Sequence, residues 1–573
     1  MQIGGAIIVK KKIVPIFAAS ILILIVAGIG VVSSLIKKYT PSDERVDVEF
    51  YFGIEENDDL AMVMQNEVIE DKGKIIDGVA YIHHTTIKEY LNDRFYWDAK
   101  ENVMVYTTPM DVITVDVGSK DYYVSKNKIT ENYTILKVDG SEAYLAAEFV
   151  QKYTNMEYSV FTEPNRIRIM YKWDEIQTVQ VKKDDSIRES ESIKSRIITE
   201  VKKGDVLTVL STVEGWKEVI TEDGYVGYIE AKKLTGEKTE VVSRAFEEPV
   251  YTSISKDYII NLTWHQVTHP EANNEVLSMI ADTKGLTTLS PTWFSIADND
   301  GNISSLASST YVNYAHQNNI EVWGLVDNFN PEISTLEVLS STSKRENLIN
   351  QLISVAINYK LDGINIDFED LEVAAGEPFI QFLRELSIKC RNNNIVLSVD
   401  NPVPMPYTQH YNRKEQGIVA DYVIIMGYDE HYAGSEESGS VASLPFVIAG
   451  IENTLDEVPK EKVINGVPFY ARLWKEEIAE DGSITVTSEA LGMNYAESIL
   501  ALHGVEKFWS EETSQYYAEF QLEDGLYKIW LEDEASMEEK AKLIKTYNLA
   551  GIASWKLGLE KDSIWDIILK YVN

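Results

Sequence analysis

Alternation of apolar and polar residues is sharpest at positions 361–370, which read Leu-Asp-Gly-Ile-Asn-Ile-Asp-Phe-Glu-Asp. In an extended chain Ile364, Ile366 and Phe368 share one face, and Gly363, Asn365, Asp367 and Glu369 share the other. Polar side chains in register on a buried strand are costly unless hydrogen bonds, water or a ligand meet them. The pattern therefore predicts a strand that ends in a functional site. From about 255 to 573, apolar strand candidates alternate with helical stretches. The strands are Ile259 to Trp264, Thr287 to Phe294, Glu321 to Val326, Gly363 to Glu369, Ile395 to Val399, Tyr422 to Tyr428, Val463 to Phe469 and Gly551 to Trp555. Helical stretches between them include Ser304 to Asn318, Ser341 to Tyr359 and Met537 to Tyr547. Eight strands with helical crossovers predict an α/β fold, a closed (β/α)8 barrel spanning 250–573. Glu369 then lies nearest the C-terminal end of the fourth strand, where such barrels carry their catalytic groups.

Upstream the pattern changes twice. Lys10-Lys11-Lys12 precede a charge-free run from Ile13 to Ile36, closed by Lys37 and Lys38. That run is long enough to span a bilayer. Residues 1–40 are read as a cytoplasmic stub and transmembrane anchor, with the later domains outside the cell membrane. Ala27-Gly28-Ile29-Gly30 also passes loosely as a signal-peptide exit, and cleavage there would leave a secreted protein. Residues 41–176 carry short strands and an internal repeat. Asp77-Gly78 and Asp139-Gly140 each open a unit of strand, turn, short helix and hairpin. Residues 177–240 carry Val206 to Leu210, Gly215-Trp216 and Gly224-Tyr225-Val226-Gly227-Tyr228 at β-strand spacing. Trp216 there serves equally well as core or as a contact to a ligand.

The 573 residues include 91 acidic and 53 basic side chains, a net charge of −38. This excludes a nucleic-acid partner that binds through a basic patch and suits a protein kept soluble outside the cytoplasm. Cys390 is the single cysteine, read as a helical core residue, so no intrachain disulfide forms. His265, His269, His410 and His431 lack metal-ligand spacing, so neither a metal nor a cofactor is expected.

The acids suit glycoside hydrolysis, which needs a protonated carboxyl at the leaving oxygen and a second group that stabilises positive charge at the sugar carbon. Asp362-x-x-Asn365-x-Asp367-x-Glu369 resembles the signature of glycoside hydrolase family 18, Asp-x-x-Asp-x-Asp-x-Glu, with Asn365 as the departure. Met426-Gly427-Tyr428-Asp429, Gly466 to Arg472, and Gly551 to Trp555 resemble further segments of that family, in the same order. The resemblance implies substrate-assisted cleavage of N-acetylated sugars. Glu369 is then the acid, Asp367 orients the acetamido group, and Tyr428 bonds its oxygen. Trp555 floors the sugar ring, Asp429 bonds the sugar, and Asn365 and Asp362 lie in supporting positions. Tyr470 and Arg472 reach the rim. Asp367 is also expected to hold the proton on Glu369 through its charge. Residues 177–240 resemble bacterial Src-homology-3-like domains, which implies binding of cell-wall peptides. Residues 41–176 resemble the small domain shared with the N-terminal part of copper amine oxidases, here a spacer or partner-binding module.

Two functions remain open on the sequence. One is a membrane-anchored hydrolase of β-1,4-linked N-acetylglucosamine polymers, with peptidoglycan or spore cortex ahead of chitin. The other is a non-catalytic chitinase-like glycan-binding protein. Whether cleavage is internal or terminal depends on the groove, for which the segment Leu473 to Tyr527 leaves room for a modest subdomain.

Overall fold

The computed structural model describes residues 10–479 and 482–573. They form two compact units, one of residues 10–95, 117–120 and 131–248, the other of 96–116, 121–130, 249–479 and 482–573.

In the first unit, helix Lys10–Tyr39 contains a fully exposed span, Phe17–Tyr39, with mean hydropathy 2.6. By length and composition it is able to cross a membrane. The internal repeat is visible in the strands. Glu67–Ile76, Val79–His83 and the helical turns His84–Leu91 precede the hairpin Phe95–Asp98/Val103–Thr107, which from Tyr96 on belongs to the second unit. Leu136–Asp139, Glu142–Ala146 and helix Ala147–Tyr153 lead into the hairpin Glu157–Phe161/Arg166–Met170. The two halves meet where Val79–His83 pairs antiparallel with Glu142–Ala146. His83 Nε2 meets Glu142 Oε2 at 2.7 Å, and His84 Nε2 meets the Phe95 carbonyl at 2.9 Å. Residues 175–241 fold as a seven-stranded antiparallel sheet around Val179, Ile187, Leu207, Val219 and Ile229. Trp216 is half-buried.

The second unit is built on eight parallel strands, β1 Ile260–His265, β2 Thr288–Ile296, β3 Glu321–Asp327, β4 Gly363–Asp367, β5 Val396–Pro402, β6 Tyr422–Met426, β7 Val463–Pro468 and β8 Gly551–Trp555. The ring closes because Leu262 of β1 lies beside Thr288 of β2 and also beside Ala553 of β8. The expected strands agree to within three residues, and the fold is the expected (β/α)8 barrel. Its lower interior is plugged by Leu262, Trp323, Leu325, Val396, Tyr422 and Ile464. Trp323 stacks on Tyr422 with centroids 5.6 Å apart. Gly363 is required at that level, since a Cβ there would come within 2.7 Å of the Trp323 ring. The outward residues of β4, Ile364 and Ile366, join Phe368, Phe379 and Phe382 in the layer between barrel and helices. Cys390 is buried in that layer, as expected.

One feature fills the room left at Leu473 to Tyr527, and a second changes the domain boundaries. Between β7 and β8 the chain inserts a five-stranded antiparallel sheet (Tyr470–Ile478, Ile484–Gly492, Phe508–Ser510, Gln515–Leu522, Gly525–Leu531) with helix Met493–His503 on one face. In addition, residues 96–116 and 121–130 pack with the barrel instead of staying with the rest of 41–176. Asp98 Oδ2 accepts from the Thr342 backbone N–H at 2.7 Å, satisfying an open donor of helix Thr342–Tyr359. The Tyr96 ring covers the buried Arg345 guanidinium at 4.7 Å, and Arg345 also pairs with Glu385 at 3.0 Å.

Candidate active site

Glu369 follows the C-terminal end of β4, and its backbone is held from both sides by Asn328. The Glu369 N–H donates to Asn328 Oδ1 at 2.9 Å, and Asn328 Nδ2 donates to the Glu369 carbonyl at 3.0 Å. The loop after β3 thus fixes the backbone that presents the Glu369 carboxyl. The strand registers bring other acids to the same rim. Asp327 of β3 lies beside Asp367. Ile366 lies beside Val399, so the next residues in line, Asp367 and Asp400, are level on β4 and β5. Three aspartates on adjacent strands therefore share one level just below Glu369.

Beneath them Asn365 joins strands across the barrel interior. Its Oδ1 accepts from Trp264 Nε1 of β1 at 3.0 Å and from Ser290 Oγ of β2 at 2.9 Å. Its Nδ2 donates to Asp400 Oδ1 of β5 at 2.8 Å. This is the inward face that the alternation at 363–369 predicts, with each amide atom used.

Burial sets the electrostatics. Asp367 is 5 % exposed, and its Oδ1 has no hydrogen-bond partner. Burial first, and then the charges of Asp400, Glu369 and Asp327, hold its carboxyl well above the usual range. Asp400 is raised in the same way, by burial and then Glu369, against the pull of its bond from Asn365 and of the nearby Trp264 N–H. Burial also raises Asp327, although the Phe329 N–H and Ser295 hydroxyl donate to it. Glu369 is pushed up to about 7, by burial first and then by Asp370, Asp429 and Asp327. The expected cause, a charge on Asp367, is corrected here. Asp367 tends to keep its own proton, so desolvation leads in protecting the acid.

Aromatic rings close the floor. Trp555 ends β8 half-buried, its centroid 6.1 Å from the buried Trp264. Tyr428 sets its edge against Trp264 at 6.4 Å and lies 6.5 Å from Tyr470. Burial above all keeps the Tyr428 proton on its oxygen. The Tyr470 hydroxyl donates to Asp429 Oδ1 at 2.5 Å, and Asp429 takes a left-handed backbone turn with φ of 59°. Arg472 lies on the inserted sheet, where Nη1 donates to Ser488 Oγ at 3.2 Å and the buried Nε lacks a partner. A cavity of about 530 Å³ opens beside Glu369 and is lined by Asn328, Phe329, Thr335, Asp370 and Glu372 among others.

The structure thus gathers Glu369, Asp367, Asn365, Tyr428, Asp429, Tyr470 and Trp555 at one mouth. Asp362 does not belong there. It precedes β4, accepting from His316 Nε2 and the Val322 N–H at 2.8 Å each, at the opposite end of the barrel. At about 3.3 Å per strand residue, five positions separate it from Asp367 by about 16 Å. Sequence reasoning missed Asp400, Asp327 and Asn328. Trp264 is a core residue and also part of the polar web under Asp367.

A chain with this site is similar to known proteins over parts of both units. The family model described as glycosyl hydrolases family 18 matches residues 263–560, and that of the bacterial SH3 domain matches 184–235. "Putative sporulation-specific glycosylase YdhD" of Bacillus subtilis (strain 168) is 27% identical over 316 residues, 54% of this chain and 74% of that protein. The cortical fragment-lytic enzyme of the same organism is 26% identical over 253 residues, 43% of this chain and 57% of that protein. Among solved structures, the C-terminal domain of a "putative chitinase" from Desulfitobacterium hafniense DCB-2 superposes with a TM-score of 0.51 at 21% identity. That match covers 55% of this chain and all of that one.

Proposed function

The chain belongs to family 18 of the glycosyl hydrolases and is a glycosidase; on that premise we propose that it is a membrane-anchored enzyme that cleaves β-1,4-linked N-acetylglucosamine polymers, peptidoglycan or spore cortex ahead of chitin. The observation that carries the reading is a carboxyl, Glu369, raised to about 7 beside an open cavity and above a row of buried acids. A group of that kind holds its proton near neutrality and can still give it up.

In this reading Glu369 protonates the leaving oxygen and later takes a proton from the attacking water. The substrate's own acetamido oxygen attacks the anomeric carbon. Asp367 accepts from the acetamido N–H and stabilises the positive charge that develops on the ring intermediate. The Tyr428 hydroxyl donates to the acetamido oxygen before attack. Trp555 supplies an apolar face for the sugar. Asp429, fixed by Tyr470, bonds a sugar hydroxyl, and Arg472 extends the rim. Asn365 positions the acids without touching the sugar.

The wall substrate draws support from three sides. The two Bacillus relatives carry glycosylase and cortex-lytic names. Residues 184–235 match a bacterial SH3 domain, which suits binding of cell-wall peptides. The exposed helix Phe17–Tyr39 suits an anchor that keeps the enzyme at the cell surface. The parts of 41–176 that stay outside the barrel unit then act as a spacer or partner module.

The test is release of reducing sugars from purified peptidoglycan, cortex and chitin by the wild-type protein and by Glu369→Gln. We expect cleavage of wall glycan to drop by about 10²–10⁴-fold in the variant, and wild-type kcat/KM to fall as pH rises through about 7, where Glu369 loses its proton. Preference for chitin would overturn the substrate assignment. A Glu369→Gln protein as active as wild type would overturn the mechanism.

A further inference from the structure

The acid signature carries an amide, Asn365, where the family pattern has a carboxylate, and an amide can neither ionise nor accept a proton at neutral pH. The structure supplies a carboxyl one strand away. Asp400 lies level with Asp367 on β5, 2 % exposed, and its Oδ1 accepts from Asn365 Nδ2 at 2.8 Å. Its other oxygen, Oδ2, has no hydrogen-bond partner, and neither does Asp367 Oδ1. Two buried carboxyls, each with one unsatisfied oxygen, stand side by side on neighbouring strands. We propose that Asp400 is the positioning residue for Asp367 in this chain, sharing a single proton with it and so doing from β5 what an aspartate at position 365 would do from β4.

The chemistry calls for such a partner. This inference rests on the glycosidase reading, in which Asp367 must be anionic to accept from the acetamido N–H. In the free protein its proton is favoured by burial and by Asp400, Glu369 and Asp327. Moving that proton from Asp367 Oδ1 to Asp400 Oδ2 frees Asp367 for the substrate with no change in the charge of the pair, and the reverse transfer resets the site. The groups facing the pair are Asp327 from β3, Glu369 beyond β4, Tyr428 beyond β6, and the neutral donors Asn365 and Trp264. Asn365 spans Trp264, Ser290 and Asp400, so it orients the Asp400 carboxyl whichever oxygen of the pair holds the proton.

Three full-length variants test this, Asp400→Asn, Asn365→Asp and the exchange Asn365→Asp/Asp400→Asn. One readout needs no turnover: the carbonyl stretch of protonated aspartate, followed by infrared difference spectroscopy on aspartate-labelled protein across pH. We expect Asp400→Asn to lower the pH at which that band disappears, and the exchange to return it. The second readout is kcat/KM against pH. Asp400→Asn should lower kcat by about 10–100-fold with little change in KM and should displace the acid limb, and the exchange should recover activity to within about threefold. Asp400→Asn with a wild-type band and a wild-type pH profile overturns the proposal. So does an exchange variant that melts like wild type and recovers neither readout. If the wild type hydrolysed no glycan, the infrared readout would still decide the proton sharing, and that failure would fall on the glycosidase reading alone.

Discussion

Of the places where the barrel unit buries carboxylates almost completely, two treat them in opposite ways. Glu532, before helix Glu534–Tyr547, accepts from Lys540 Nζ at 2.7 and 2.8 Å, from Ser536 Oγ at 2.8 Å and from Gln515 Nε2 at 2.7 Å. Burial pulls its proton affinity up, and Lys540 pulls it back. Asp367 and Asp400, equally buried, have no such cation, and each keeps an oxygen without a partner. The first arrangement ties the inserted sheet to the helix that follows it. The second leaves an electrostatic cost in the fold, and such costs persist where chemistry needs them. Buried acidity alone therefore does not mark a site; buried acidity without compensation does.

The strongest way to break this contrast is to remove the cation. Lys540→Met should destabilise the protein by about 3–5 kcal/mol, because it strands a buried charge on Glu532, and Glu532→Gln/Lys540→Met should regain part of that loss. Chemical denaturation of the three proteins checks both. A Lys540→Met protein as stable as wild type would mean that Glu532 is not ionised in the fold.

At the mouth the sign reverses. The folded value of Glu369, about 7, lies above its ordinary 4.5, so the unfolded chain releases this proton at lower pH than the fold does. The resulting penalty is absent below about pH 4, grows between about 4.5 and 7, and is fully present above. Glu369→Gln removes it and should stabilise the protein by about 1–3 kcal/mol at pH 8 relative to wild type, while the difference vanishes near pH 4. Unfolding curves at the two pH values measure this. A smaller effect is expected at the floor. Trp555→Ala should raise KM for a glycan oligomer about tenfold, since ring stacking contributes about 0.5–1.5 kcal/mol beyond the area it buries. An unchanged KM would move the sugar away from Trp555.

Much of the barrel was legible because period-two patterning survives burial on one face. The faces of β4 agree with the alternation residue by residue, from Gly363 against Trp323 to Asn365 and Asp367 pointing inward. What escaped depends on neighbours in space. Asp400 fell one residue past the expected strand Ile395 to Val399, and its importance comes from the β4–β5 register, which no local motif contains. Asp327 ends β3 and Asn328 opens the loop after it, where polar residues look ordinary until Asn328 is seen holding the Glu369 backbone. Asp362 misled in the other direction. Motif spacing grouped it with the acids, while the rise of an extended chain carries it to the far end of the barrel. The packing of residues 96–116 against Arg345 was equally invisible, because it joins segments more than two hundred positions apart.

The amide at 365 has a final consequence. It ties β4 to three other strands of the ring, and two of those bonds, from Trp264 and Ser290, join groups that do not titrate in water. The scaffold under the acids is thereby a pH-blind strut: protons come and go above it while the cross-section stays put. Losses of turnover at either end of the pH range should then reverse at once on neutralisation, with no slow recovery of shape.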